Sequence, residues 1–497
     1  MEFAIAIDNG SAVPLHRQLY EEIRKSILTG RLVAGSNIPS TRALARSLGI
    51  SRSTVMQSYD QLISEGYLQT VVGSGTKVSE QLPDELLQTV PAKSAPSRSQ
   101  LASHPQAATP HLLKLSKYGQ SLADAAPLQP PECKVPIQFK DGLPALDEFP
   151  MTIWRRLLLR HCRADPLTLL DYENGSQGDG GLRAAIASYI AHSRAVRCTA
   201  DQIIIVNGSQ QAIDLVTKIL IERGDTVALE DPGYLGVRRA FLAQGARLYP
   251  IPVDQSGIAV ERLTAQSAKN IKLIYVTPSH QFPTGAVLSL PRRLELIAWA
   301  VDRGAIIIED DYDSEFRYCG RPIPALQGLD AHENVIYLGT FSKVLFPSLR
   351  VGYLVVPHPL VEVFSRARWL ADRQTSTIAQ RVLTDFINEG HLERHLRRMR
   401  VLYDRRRQTL VRAFKQYFED RITILGENAG MHLMVRLQTG LSDEEVVRRA
   451  GEAGVGLISA RIYYIADARS DEFVMGYANL SERKIYEGVR RLAKTLR

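Results

Sequence analysis

Residues 339–353 read Gly339-Thr340-Phe341-Ser342-Lys343-Val344-Leu345-Phe346-Pro347-Ser348-Leu349-Arg350-Val351-Gly352-Tyr353. They follow an apolar run, Val335-Ile336-Tyr337, of the size of a buried strand. One lysine amine is flanked by two hydroxyls and, seven residues on, by an arginine. A lone lysine is ordinarily a solvated surface charge. An amine set among anion donors is what an aldehyde cofactor carrying a phosphate requires, because the aldehyde needs a nucleophilic nitrogen and the phosphate needs donors.

Three stretches upstream also place chemistry at strand ends. Ile307-Ile308-Glu309-Asp310-Asp311-Tyr312 closes an apolar run in carboxylates. A carboxylate beside a ring nitrogen keeps that nitrogen protonated, since the ion pair favours both charged forms. Taken singly, such an acidic end reads as solvation at a sheet edge. Asp231-Pro232-Gly233-Tyr234 puts an aromatic just past a tight turn. Val206-Asn207-Gly208-Ser209-Gln210-Gln211 leads a strand into a helix, where backbone N–H groups and a hydroxyl form an anion site. From about Val135 to Arg497 short apolar strands alternate with helical stretches, the pattern of a wound α/β sheet.

In order and spacing these motifs resemble the fold-type I pyridoxal-phosphate enzymes of the aminotransferase class. The resemblance covers about residues 135–497 and includes Tyr172-Glu173-Asn174-Gly175 and Pro283-Thr284-Gly285. It implies that Lys343 carries pyridoxal 5'-phosphate (PLP) as an aldimine and that Asp310 pairs with the pyridine nitrogen. It further implies that Tyr312 contacts the phenolic oxygen, that Tyr234 stacks on the ring, and that Ser209, Gln210, Thr340, Ser342 and Arg350 hold the phosphate. Two departures stand out. Phe282 occupies the place of the asparagine that usually precedes Pro-Thr-Gly, so either His280 or Gln281 substitutes for it or that bond to the phenolic oxygen is missing. The late strand Phe473-Val474-Met475-Gly476-Tyr477 lacks the usual carboxylate-binding arginine, which makes Arg461 the candidate for an effector carboxylate.

The other end of the chain has a different texture. Leu15, Leu19, Ile23 and Ile27 recur at spacing four, an amphipathic helix. Ile38-Pro39-Ser40-Thr41-Arg42 opens a second helix capped by Ser40 and ended by Gly49, and Ser51-Arg52-Ser53-Thr54-Val55 opens a third. Two short helices across a glycine turn make a helix-turn-helix, and Gly66–Val78 adds a glycine-tipped hairpin. A small helical dimer module is the blander reading of such a pattern. The stretch resembles the GntR-type winged helix over nearly all of residues 13–79. That resemblance implies double-stranded DNA as partner, contacted by Arg42, Arg52, Ser53, Thr54 and Gly73. A further DNA-contacting arginine of some members falls on Met56 here, which implies a different base preference.

The whole chain resembles the MocR/GabR subfamily of GntR-type regulators. The expected fold class is multidomain: an α+β winged helix-turn-helix head over 13–80, a flexible linker over 81–134, rich in Pro, Ser, Ala and Gln, and an α/β PLP-dependent transferase fold type I domain over 135–497. The resemblance implies a transcription regulator that senses a small amine, an amino acid or PLP itself, working as a head-to-tail homodimer. The rival is a working aminotransferase with an appended DNA-binding head. The two departures weigh against efficient turnover and leave at most slow or half-transamination.

Composition sets the outer bounds. The chain has 497 residues, 45% apolar and 23% charged, which excludes wholesale disorder and collagen-like repeats. Cysteines at 133, 162, 198 and 319 form no CxxC pair, so no metal site is expected, and a reducing cytoplasm is the expected location. No apolar run approaches the roughly 20 residues of a membrane span. Residues 1–80 hold eight Lys/Arg against seven Asp/Glu, and 81–134 hold five against four. Most of the +8 net charge therefore lies in the large domain and does not locate the DNA contact. The seven arginines between 394 and 407 read as a solvated helix face, with an accessory phosphate-contacting patch as the alternative.

Overall fold

A computed structural model describes residues 13–71, 75–82, 114–123, 135–164, 171–172, 175–264, 270–320, 323–466 and 468–496, with positions 5, 7, 8, 10 and 11 ahead of them. Gly73, Glu173, Asn174 and most of the expected linker lie outside the described residues. The chain divides into two compact units, Met1–Leu112 and Leu113–Arg497.

The smaller unit holds three helices, α1 (Leu15–Leu28), α2 (Thr41–Leu48) and α3 (Arg52–Ser64), and a hairpin of β1 (Leu68–Val71) and β2 (Gly75–Val78). Leu19, Ile23, Leu44, Val55, Tyr59, Leu62 and Val78 form its core. The Ser40 hydroxyl accepts from the Ala43 N–H at 3.2 Å and the Ser51 hydroxyl from the Thr54 N–H at 3.1 Å, so both expected caps form. Gly49 ends α2 in the left-handed conformation (φ 64°), which sets the turn into α3.

The larger unit is built on an eight-stranded sheet. Its strands are β3 (Ile203–Val206), β4 (Thr226–Asp231), β5 (Arg247–Asp254), β6 (Gly257–Ile258), β7 (Ile271–Val276), β8 (Ile306–Asp311), β9 (Val335–Thr340) and β10 (Gly352–Val355). The spatial order is β3-β10-β9-β8-β7-β4-β5-β6. From β9 through β5 neighbours run parallel, while β10 is antiparallel to both β9 and β3. Apolar clusters cover both faces of the sheet, which is why runs such as Ile203-Ile204-Ile205-Val206 are apolar throughout instead of alternating. A second, antiparallel sheet of four strands includes His432–Leu437 and Glu472–Gly476. A short strand near the start of the unit, Ile137–Gln138, pairs with Val455–Gly456.

Part of the expected linker is structured. Lys117–Ala123 is helical and groups with the larger unit, where the Ser121 hydroxyl lies 3.4 Å from the Ala243 carbonyl. No proline stands between Pro110 and Pro127 to interrupt a helical turn. The arginine-rich stretch lies in the helix His391–Phe418. Arg397, Arg398 and Arg405 pair with Glu393, Glu148 and Glu482, whereas Arg406 is buried, so the solvated-face reading holds for only part of it. Among the described residues no helix is long and apolar enough to cross a membrane.

Candidate functional site

Parallel strands end on the same edge of a sheet, and connections leaving that edge converge on one crevice. Here the carboxyl ends of β3, β4, β7, β8 and β9 bring Ser209, Tyr234, Thr277, Asp310, Tyr312 and Lys343 to the wall of one cavity. Gly142 closes it from the other side. Its carbonyl accepts from Lys343 Nζ at 3.0 Å, and a Cβ at this position, where φ is +65°, would lie 2.3 Å from that nitrogen.

Asp310, in β8, is buried. Its Oδ2 accepts from the Tyr275 hydroxyl at 2.6 Å, and its Oδ1 is buried without a hydrogen-bond partner. Burial raises its carboxyl to about 7, against which the Tyr275 hydrogen bond pulls down. Tyr234, at the entry of a helix after β4, stands edge-on to Phe282 with ring centroids 6.1 Å apart. Burial pushes its phenol up to about 12, keeping it neutral.

At one end of the cavity, Ser209 opens the helix Ser209–Leu220 with Gly208 as its N-cap at φ 87°. Arg350 lies over this turn, its guanidinium donating to the Asn207 carbonyl. A Cβ on Gly208 would come within 3.0 to 3.1 Å of that guanidinium, so glycine permits the approach. Free N–H groups, a hydroxyl and an arginine thus meet at one helix N-terminus. Ser342 N–H donates to Thr340 Oγ1 at 3.2 Å, one residue from Lys343. Gln210 turns aside, its amide 3.4 Å from the Gly236 carbonyl. Gln210, Thr340, Ser342 and Arg350 do not line the cavity itself.

The two substitutes for the asparagine separate clearly. The Gln281 amide donates to the Pro232 carbonyl at 2.8 Å and its carbonyl accepts from the Thr284 hydroxyl at 2.6 Å, so it is spent on loop structure. His280 Nδ1 sits 3.0 Å from Asp313 and 3.1 Å from the Tyr312 hydroxyl, which also donates to the His280 carbonyl at 2.9 Å. His280 therefore reaches the cavity through Tyr312. His432, whose ring centroid is 4.8 Å from that of His280, is held neutral because burial drives its pKa well below the usual value. Asp313, His280 and His432 offer nitrogen and oxygen atoms within 4.8 Å of one another, a grouping the sequence reading did not anticipate.

Arg461 is not brought to the cavity. It lies in the turn Ala460–Tyr463, half exposed, and pairs with Asp443 and Glu444 at 3.4 Å each. Sequence reasoning also missed Asp141, Gly142, Tyr275 and Met431 on the wall. Lys140-Asp141-Gly142 signals only a turn, and Tyr275 reads as one more apolar residue of a strand.

In the smaller unit, Arg42, Arg52 and Ser53 are exposed at the starts of α2 and α3, with Thr54 half-buried beside them. The Ser53 and Thr54 hydroxyls lie 2.7 and 2.8 Å from that of Ser51. Met56, 43% exposed, shares this helix.

Residues 15–78 match the gntR family of bacterial regulatory proteins, and residues 173–492 match the aminotransferases of class I and II. Along 98% of its length the chain is 39% identical to the "Probable rhizopine catabolism regulatory protein MocR" of Rhizobium meliloti, covering 95% of that protein. It is 30% identical to the pyridoxine biosynthesis transcriptional regulator PdxR of Corynebacterium glutamicum, with 97% and 96% of the two chains covered. Among solved structures it is similar to the kynurenine aminotransferase of Pyrococcus horikoshii in complex with PMP (TM-score 0.68, 27% identity, 80% of this chain and 96% of that one). It is likewise similar to the α-aminoadipate aminotransferase LysN of Thermus thermophilus, complexed with N-(5'-phosphopyridoxyl)-L-leucine (TM-score 0.67, 31% identity, 72% and 92%). A DNA-binding head joined to an aminotransferase fold, matched end to end by named regulators, makes the chain a member of the MocR/GabR subfamily of GntR-type transcriptional regulators.

Proposed function

We propose that this regulator binds PLP in the cavity around Lys343 and uses it to sense a small primary amine, an amino acid or the cofactor itself. The observation that carries the reading is Asp310: a buried carboxylate whose Oδ1 has no protein partner, in the same cavity as the Lys343 amine. A buried acceptor left unpaired costs stability unless a ligand supplies a donor, and a protonated ring nitrogen is such a donor. When bound, the cofactor supplies an aldehyde that condenses reversibly with primary amines.

The chain's own residues do the rest. Asp310 holds a proton on the ring nitrogen, Tyr234 covers the ring, and Tyr312, oriented by His280, offers its hydroxyl to the phenolic oxygen. Ser209 and Arg350, at the helix N-terminus, neutralise the phosphate, with Gln210, Thr340 and Ser342 as flanking donors. Lys343 supplies the amine that an incoming effector displaces. Arg42, Arg52, Ser53, Thr54 and Gly73 contact operator DNA in the head. An effector that binds one arrangement of the large domains more tightly shifts the population toward it, and the heads of a homodimer respond.

The working-aminotransferase reading draws on the same Lys343 and Asp310, but Arg461 is engaged with Asp443 and Glu444 and leaves the cavity without an arginine among its described lining residues. The test is DNA footprinting upstream of the chain's own gene, with and without PLP and a panel of amines, beside a steady-state assay of amino-group transfer. The expected result is a footprint that changes with cofactor or amine and no sustained turnover. Vigorous multiple turnover together with an unresponsive footprint would sink the sensor reading.

A further inference from the structure

Asp141 stands on the cavity wall, and no step above uses it. Its position is fixed by long-range pairing. Ile137–Gln138 runs beside Val455–Gly456, the Phe139 N–H donates to the Gly456 carbonyl at 3.1 Å, and the Phe139 carbonyl accepts from the Gly476 N–H at 3.1 Å. Just past Asp141 the chain meets Lys343 at Gly142. Asp141 is therefore next to the amine that any ligand must approach.

The neighbouring carboxylates each hold a protein partner, Asp310 through Tyr275, Asp311 through Arg194 and Asp313 through His280, and the open Oδ1 of Asp310 belongs to the cofactor in the reading above. Among the described residues the charges acting on Asp141 are those of Lys343 and Lys140, and desolvation pushes its carboxyl up against their pull. Lys343 is the sole cation among the described lining residues, and its amine belongs to the cofactor in the reading above. Of the other lining groups, Thr277 and Tyr275 spend their hydroxyls on Glu230 and Asp310, His432 is neutral, and Ser209 and Tyr312 serve the cofactor in the reading above; Tyr234, Phe282 and Met431 add apolar surface, with Met434, Tyr463 and Val474 packed behind Phe282. A ligand carboxylate brought here would meet a second, half-buried carboxyl group beside apolar side chains, with no cation left to pair with it. A hydroxyl or a second ammonium would find an acceptor.

We propose that Asp141 sets the effector class: a primary amine carrying a hydroxyl or second ammonium and no carboxylate. The inference rests on the cavity being a PLP site. The test uses the full chain loaded with PLP and freed of excess, titrated with 3-amino-1-propanol, 1,3-diaminopropane, β-alanine and propylamine while visible absorption is followed. At least one of the first two should bind roughly tenfold tighter than β-alanine. Asp141→Asn, and Asp141→Ser as a second variant, should bring that ratio close to one, chiefly by strengthening β-alanine. β-Alanine binding as tightly as the amino alcohol and the diamine, or a ratio unmoved by either substitution, overturns the role of Asp141. No visible band, or no response to any amine including propylamine, overturns the cofactor reading beneath it as well.

Discussion

The two units place their proposed working residues in opposite ways. In the head, Arg52, Ser53 and Thr54 are consecutive, and the Ser51 cap that starts their helix is adjacent to them. In the large unit, Lys343 meets Gly142 across 201 positions, and Asp310 meets Tyr275 across 35. A recognition helix needs only local geometry and exposure. A buried pocket must gather groups from several strand ends, because no short segment can surround a small ligand and exclude water from it. The head can therefore lose function one side chain at a time, while the pocket fails as a unit.

Lys343→Ala gives the largest expected effect. Visible absorption and all response to amines should vanish, while affinity for the operator in the absence of effector stays within a few-fold. Loss of DNA binding in a folded Lys343→Ala protein would break the separation of roles.

Next in size is Leu62→Ala, which empties a fully buried position of the head core and should destabilise that unit by about 2–5 kcal/mol. Differential scanning calorimetry should show the head transition moving and that of the large unit unchanged. A joint shift would mean that the two units fold as one.

Asp310→Asn acts in the pocket through pH. The native carboxyl lies near 7, above its ordinary value of 3.8. The native state thus binds the proton more tightly, and the cofactor-free protein loses stability through this group as pH rises from about 4 to about 7. At pH 8 the variant should stabilise the cofactor-free protein by about 1–3 kcal/mol while weakening PLP binding. Melting curves at pH 5 and 8 check this, and a stability gap that does not change with pH would count against it.

Arg52→Ala should cost about 1–3 kcal/mol of operator affinity and leave the PLP spectrum untouched, as read by fluorescence anisotropy and absorption on one sample. The smallest effect belongs to Ser51→Ala: loss of the cap should destabilise the head by about 1 kcal/mol. An unchanged head transition would mean that the Ser53 and Thr54 hydroxyls take over the orphan N–H groups.

Legibility in the sequence follows the same division. The head's helices, both serine caps and the hairpin were readable because each depends on neighbours within a turn or two. Much of the pocket was readable through strand-end motifs, since Ser209, Tyr234, Asp310, Tyr312 and Lys343 all stand just after or at strand ends. What escaped were residues with no local mark. Arg461 looked available for a carboxylate until Asp443 and Glu444 were seen to face it. Gln281 and His280 were equal candidates on paper, and only packing showed one spent on the loop and the other bonded to Tyr312.

By itself, then, the sequence determined two folds and the order of the parts, because periodicity, caps and turn residues act over short distances. It also supplied the lysine, the acidic strand end and the Gly208-Ser209 turn into a helix. Only the tertiary structure decided which groups share a cavity: the sheet order set which strand ends converge, and the pairing of Ile137–Gln138 with Val455–Gly456 carried Asp141 to Lys343. Burial did the remainder, since it is the loss of water around Asp310 and Asp141 that lifts their pKa values and makes each depend on what it faces.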